Sequence, residues 1–220
     1  MISFQNVSKY YESVAVLKNI TFDISKGEMA FVTGPTGAGK STLLRLIYFG
    51  EKPDEGSIRV SGLDLASLKS SSVPLLRRTI GVVFQDFKLL NTMTVFDNVA
   101  LALRIRGMAE KEIRAVVTDA LKSVHLRHKS DSLPVALSGG EQQRVVIARA
   151  IVAEPPVVLA DEPTGNLDPD TAGHIIRLFL DMNLRGTTVL IATHNRELYR
   201  HTGKRVLKID QGALAGEAVG

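Results

Sequence analysis

Residues 34–42 read GPTGAGKST. Gly34, Gly37 and Gly39 allow the backbone to take unusual conformations and to approach an anion closely. The exposed N–H groups of such a loop, with a helix N-terminus behind them, face phosphate oxygens. Pro35, Thr36, Ala38 and Thr42 complete the loop. Lys40 adds a mobile point charge for β- and γ-phosphates, and the Ser41 hydroxyl suits Mg²⁺. The motif requires a strand before it and a helix after it.

Residues 157–162, VVLADE, end an apolar run in two carboxylates. Buried charges need partners or a metal. Asp161 is placed to hold Mg²⁺, and Glu162 to polarise an attacking water as a general base. Alone, two acids at a strand end read as solvated charge. Beside the phosphate loop they read as the other half of a nucleotide-hydrolysing site. Gln85 follows IGVVF and could reach the metal or the water, His194 follows TVLIAT, and Tyr11 offers a ring on which a base could stack. Judged singly, each of these three reads as an ordinary loop or strand-end residue.

The elements that must hold these groups show as patterns. Residues 29–33 (MAFVT), 80–84, 157–160 and 188–192 are short continuous apolar runs, as buried parallel strands require. Residues 2–7, 14–24 and 57–61 read as further short strands, with turns at Lys26-Gly27 and Glu55-Gly56. Leu43, Leu44 and Ile47 recur at helical spacing after the phosphate loop. From Val95 to about Val124 the pattern is helical, broken at Gly107. Ser138 opens another helix that Pro155-Pro156 should end, and a last helix is expected near 170–184. Strands alternating with helices imply a parallel α/β core.

Composition narrows the classes. The 220 residues are 45% hydrophobic and 23% charged, which suits one globular core, or one core with an inserted subdomain. With no cysteine, disulfide scaffolds, cysteine nucleophiles and thiolate metal sites are excluded. The first residues carry no secretory pattern. The longest apolar candidate, 145–160, is interrupted by Arg149, Glu154, Pro155 and Pro156, so no membrane helix is expected and any membrane role must come through a partner. A net charge of +4 without tryptophan or a stacking-aromatic basic motif gives no reason to expect nucleic acid.

Residues 137–144 read LSGGEQQR, between the phosphate loop and the acidic strand. With it the chain resembles the ATP-binding cassette family along nearly its whole length. Tyr11 matches the adenine-stacking position, GPTGAGKST the Walker A loop, Gln85 the Q-loop, VVLADE Walker B, Gly165–Asp168 (GNLD) the D-loop and His194 the switch histidine. The resemblance implies a P-loop NTPase (RecA-like) α/β fold: a parallel-sheet core, an N-terminal antiparallel β subdomain and an inserted α-helical subdomain. Residues 1–90 and 150–220 would form the ATP-binding core, and about 91–149 the helical part. It also implies ATP with Mg²⁺ as ligands, with Ser41, Gln85 and Asp161 at the metal. Glu162, His194, Lys40 and Gln85 are implied for catalysis. Two subunits would pack head to tail, with Ser138, Gly139, Gly140 and Glu141 of one meeting the nucleotide of the other, and Asp168 communicating between the sites.

Within the family the stretches 27–47, 73–90 and 94–103 are similar to the cell-division branch, whose ATPases serve an FtsX-like integral membrane protein from the cytoplasmic side of the bacterial inner membrane. Lipoprotein-releasing (LolD-like) and macrolide-export (MacB-like) ATPases share ADEPTGNLD and are the alternative. Asn195, where many relatives carry Asp, and Tyr48-Phe49 depart from the common pattern. Phe87, Leu89, Leu90 and Met93 are candidates either for docking the partner or for packing inside the helical part.

Overall fold

The computed structural model describes residues 1–220. Two sheets carry the chain. The first is antiparallel and four-stranded, in the order β2 (Val14–Ile24), β1 (Ile2–Tyr11), β4 (Glu55–Val60), β5 (Leu63–Asp64). The second has six strands in the order β10 (Ala213–Val219), β9 (Arg205–Asp210), β3 (Met29–Thr33), β8 (Thr188–Ala192), β7 (Val157–Asp161), β6 (Ile80–Val83). Its pairs from β9 to β6 are parallel, and only β10 runs antiparallel at the edge. Six helices complete the chain: α1 (Lys40–Ile47), α2 (Val73–Arg78), α3 (Val95–Ile105), α4 (Glu110–Ser123), α5 (Gly139–Ile151) and α6 (Pro169–Leu184).

Why the apolar runs are continuous is visible in the packing. Side chains alternate across a strand, and here both faces are covered. Met29 and Phe31 of β3, Val158 and Ala160 of β7, and Val189 and Ile191 of β8 join one cluster with α3, α4, α5 and α6. Ala30, Val32, Val157, Leu159, Leu190 and Ala192 join a second cluster with β1, β2, β4 and α1. Every such side chain is buried, each worth about 1.5–3 kcal/mol for a residue of Val, Leu, Ile or Phe size.

Several expectations shift. The first strand runs on to Tyr11, four residues beyond its expected end at Val7. The turn expected at Glu55-Gly56 is instead the start of β4. Gly56 (φ 78°) sits where the β1–β4 register slips, and a Cβ there would stand 2.4 Å from the Asn6 carbonyl oxygen. The helix opened by Ser138 ends at Ile151 rather than at the proline pair; Val152 caps it and Glu154 turns left-handed (φ 44°). Gly107 (φ 79°) does separate α3 from α4. No helix is long and apolar enough to cross a membrane.

Candidate functional site

The glycine-rich loop joins β3 to α1, as the motif requires. Gly37 (φ 82°) and Gly39 (φ 103°) hold left-handed backbone, and Gly39 is the N-cap of a helix whose first turn carries no acid. The first amides of α1 therefore lack intrahelical acceptors and present partial positive charge. Gly34 is glycine for another reason. A Cβ there would stand 2.0 Å from the Ile209 carbonyl oxygen of β9, so packing against the sheet, not approach to phosphate, excludes a side chain.

Lys40 is buried, and its Nζ donates to the carbonyls of Gly34 at 2.8 Å and Pro35 at 3.1 Å. An ammonium has three donors. Two are held by the loop's own backbone, which aims the third. Pro35 and Gly34 thus act as a cradle for the lysine, and Ala38 packs its methyl into the second cluster.

Asp161 is the last residue of β7, paired in register with Ala192. Its Oδ1 is buried and has no hydrogen-bond partner. Burial pushes the Asp161 carboxyl above the usual range and the Glu162 charge adds to this, while the Ser41 hydroxyl, Lys40 and Arg45 pull it partly back. An orphaned buried carboxylate oxygen beside a serine hydroxyl is a hard-oxygen donor set that fits Mg²⁺. That ion takes few protein ligands and keeps waters and phosphate oxygens for the rest.

Glu162 has left-handed backbone (φ 45°), uncommon for a side-chain-bearing residue. This turns its carboxylate onto the loop after β8. Oε2 accepts from the Thr193 hydroxyl at 3.0 Å; Oε1 accepts from the His194 N–H at 3.0 Å and faces His194 Nδ1 at 2.7 Å. Glu162 and His194 are therefore one hydrogen-bonded unit. Thr193 passes unnoticed in the sequence, although its place between the strand and His194 is the only signal it could give. Asn195 donates its N–H to the Thr193 hydroxyl at 3.1 Å and caps the short turn 196–198, so it supports the same loop.

One cavity of about 250 Å³ brings together Thr36, Gly37, Gly39, Lys40, Ser41 and Thr42 with Gln85, Asp161, Glu162 and His194. Val16 of β2 also lines it, a residue the sequence does not flag. A neighbouring cavity of about 680 Å³ shares Ser41, Gln85 and Asp161 and runs on past Arg45, Tyr48, Glu51 and Phe84. Tyr48 meets Phe84 edge-on at 5.8 Å, which is the packing role of that departure from the family pattern. Tyr11 stands outside both cavities. Its exposed ring ends β1, and its hydroxyl lies 3.5 Å from Thr42 Oγ1 and donates to Glu51.

The structure does not bring LSGGEQQR into either cavity. Ser138 is the N-cap of α5 and accepts from the Glu141 N–H at 3.3 Å, while the Glu141 carboxylate accepts from the Ser138 N–H at 2.8 Å. This capping box consumes two amides. The Ser138 N–H holds the Glu141 carboxyl below the usual range. Gly139 and Gly140 keep their amides free of intrahelical acceptors, and a Cβ at Gly139 would meet nothing within 4 Å. Asp168 likewise caps α6, accepting from Thr171 N–H at 2.9 Å. Of the four loop apolars, Phe87 and Leu89 lean on the helical cluster, Met93 is half-buried and Leu90 is 43% exposed.

Set against known proteins, this geometry has close counterparts. The ABC transporter family matches over residues 17–165. The chain is 51% identical over 217 residues to the cell division ATP-binding protein FtsE of Escherichia coli K12, covering 98% of both chains. It is 50% identical over 215 residues to FtsE of Bacillus subtilis strain 168, covering 97% of this chain and 94% of that one. Among solved structures, a dimeric ATP-binding cassette in a post-hydrolysis state, bound to ADP and Pi, superposes with a TM-score of 0.95 at 35% identity over 100% of this chain and 98% of the other.

Proposed function

The chain belongs to the ATP-binding cassette transporter family, and on that premise we propose that it is the ATP-hydrolysing half of a motor that moves an integral membrane partner during bacterial cell division. The observation that carries this reading is a division of labour. One cavity holds Lys40, Ser41, Asp161, Glu162 and His194 together, while the unpaired amides of Gly139 and Gly140 lie outside it. A second copy, packed head to tail, supplies those amides to the first copy's nucleotide. The dimeric relative bound to ADP and Pi supports that arrangement.

In this reading the loop amides and Lys40 bind the β- and γ-phosphates, and Ser41 and Asp161 hold Mg²⁺, with Gln85 beside them. When bound, Mg²⁺ neutralises charge on the phosphate oxygens. Glu162 accepts the proton of the attacking water. His194, held through its Nδ1 and its N–H by the same carboxylate, keeps Glu162 oriented and closes the site on the γ-phosphate side. Tyr11 stacks on the adenine. ATP joins two copies because its charge is met only when both are present, and loss of the γ-phosphate releases them.

The names of the FtsE relatives support the cell-division role; to this the reading adds an FtsX-like membrane protein as partner and, through it, a peripheral place on the cytoplasmic face of the membrane. Leu90 and the half-buried Phe87, Leu89 and Met93 offer the docking loop. The test is recovery of partners from native membranes on a Glu162→Gln variant loaded with ATP. An FtsX-like protein is the expected result; a lipoprotein- or drug-export permease overturns the pathway and leaves the nucleotide site standing.

A further inference from the structure

Tyr11 ends β1 where the backbone ladder alone is a poor guide for a ring. The register against β2 slips between Val7 and Lys9 and again between Lys9 and Tyr10, and Glu12 turns left-handed (φ 55°). A strand irregular in this way bends and twists locally. The strand end is nevertheless held at several points by the segment that joins α1 to β4. The Tyr11 hydroxyl donates to Glu51 Oε2, and the other oxygen of that carboxylate faces Arg45 Nη1 of α1 at 3.3 Å. Asp54 accepts from the Tyr10 N–H at 2.7 Å and from Lys9 Nζ at 3.2 Å, and donates its own N–H to the Ser8 carbonyl at 3.0 Å. The Lys9 ammonium in turn stands over the Tyr11 ring, 5.8 Å from its centroid.

Glu51 itself stands on a closely packed turn. After α1, Phe49 takes left-handed backbone (φ 56°), the Gly50 N–H donates to the Arg45 carbonyl at 2.8 Å, and Arg77 donates to the Phe49 carbonyl at 2.9 Å. A Cβ at Gly50 would stand 2.5 Å from the Tyr48 ring. The Glu51 side chain is only 24% exposed, and each of its two oxygens has its own partner. A hydrogen bond to an ionised acceptor is stronger than one between neutral groups. The Tyr11 hydroxyl also lies 3.5 Å from the hydroxyl of Thr42, which lines the phosphate cavity. One short helix thus meets the phosphates with its first turn and reaches the ring through Arg45 and Glu51.

We propose that Glu51 is a positioning residue for nucleotide binding. Its carboxylate fixes the Tyr11 ring against α1, so that Lys9 covers one face and the other is open to the base. This rests on the reading of Tyr11 as the adenine platform. A side chain that is ordered only when the ligand arrives costs rotamer freedom at that moment, and one already in place does not. Glu51 lines no part of the cavity that holds Lys40 and Ser41. Its loss should therefore be felt by the base of the nucleotide and not by its triphosphate.

The experiment measures the affinity of the full-length protein for MgATP and for magnesium tripolyphosphate, which has the phosphates without the base, by titration calorimetry. Glu51→Ala should weaken ATP about three- to tenfold, the order of one hydrogen bond's net worth, and change tripolyphosphate less than about twofold. Tyr11→Phe keeps the ring and removes the hydroxyl. It should lose as much as Glu51→Ala, and the two together should lose no more than either alone. Glu51→Gln keeps an acceptor oxygen for the hydroxyl and should restore ATP binding to within about twofold of the parent. Wild-type ATP affinity in Glu51→Ala, equal weakening of both ligands, or losses that multiply in the double variant overturn the proposal. So does a Glu51→Gln variant as weak as Glu51→Ala, since the charge facing Arg45 would then be the working part. Tyr11→Ala tests the premise by itself: if it leaves the ratio of the two affinities unchanged, the ring is no platform for the base. If Tyr11→Ala lowers that ratio and Glu51→Ala does not, the platform stands and the role of Glu51 alone falls.

Discussion

The N-termini of α1 and α5 are chemically alike and structurally opposite. Each presents unpaired amides beside glycines: α1 follows a glycine-rich loop, and α5 opens on Gly139 and Gly140. Around α1 the chain collects everything a triphosphate needs: a buried lysine aimed by two carbonyls, an orphaned carboxylate oxygen, and a glutamate bonded to His194. Around α5 the nearby cation, Lys129, lies 4.0 Å from the Glu141 carboxylate and answers that charge, and the cap is satisfied by its own Ser138 and Glu141. In the proposed function the first terminus is a binding site in one molecule, and the second is half of a contact. Substitutions at the two should therefore fail differently.

The largest separation is expected at Glu162. Glu162→Gln keeps the side-chain shape and removes the base, and turnover should fall about 10²- to 10⁴-fold while ATP still assembles the dimer. Normal steady-state hydrolysis in that variant removes Glu162 from the role. Lys40→Ala strikes binding itself. Loss of a charge-assisted hydrogen bond worth about 1.5–3 kcal/mol should weaken ATP about 10- to 100-fold, measurable by titration calorimetry. Wild-type affinity there breaks the account of α1.

Gly139→Asp is the mirror experiment. Its new side chain meets open space, so the fold should hold, but an anion now stands where a phosphate is to arrive. ATP affinity of the single chain should stay within about twofold, and ATP-driven dimerisation in ultracentrifugation should weaken about tenfold or more. Parallel loss of both measures would place α5 inside the same half-site as α1 and erase the contrast.

The smallest effect concerns stability. Because burial lifts the Asp161 carboxyl, its ionised form opposes folding above that raised pKa, and the penalty disappears as pH falls through it. At neutral pH without Mg²⁺, Asp161→Asn should raise Tm by roughly 2–4 °C, as about 1 kcal/mol does in a chain of this size, while removing Mg²⁺-dependent turnover. A lower Tm would mean that the carboxylate supports the fold, not only the cation.

Much of the architecture is legible in the amino-acid sequence. The strands β3, β7 and β8 announce themselves because burial on both faces demands unbroken apolar runs. The phosphate loop does so because few residue types fit its geometry. β9 and β10 do not. RVLKID mixes charge into its alternation, and ALAGEAV is nearly all exposed, so pairing with a neighbour rather than its own pattern makes it a strand. α2 is short and carries a proline at its start, which gives no periodicity to count. In the site, the motif positions are legible as types, but the reason for Gly34 and the part of Thr193 are not.

The alternation along β3 has a consequence for inheritance. Met29 and Phe31 serve the helices while Ala30 and Val32 serve the β sheet beneath. Neighbouring letters of one strand thus answer to different neighbours. A lineage can lengthen the loops, but it cannot shed the helices without leaving a greasy wall on the surviving sheet, inviting clumping. What looks on paper like a spare part, removable and transplantable, is bound into the trade of the whole chain, which must be passed on entire.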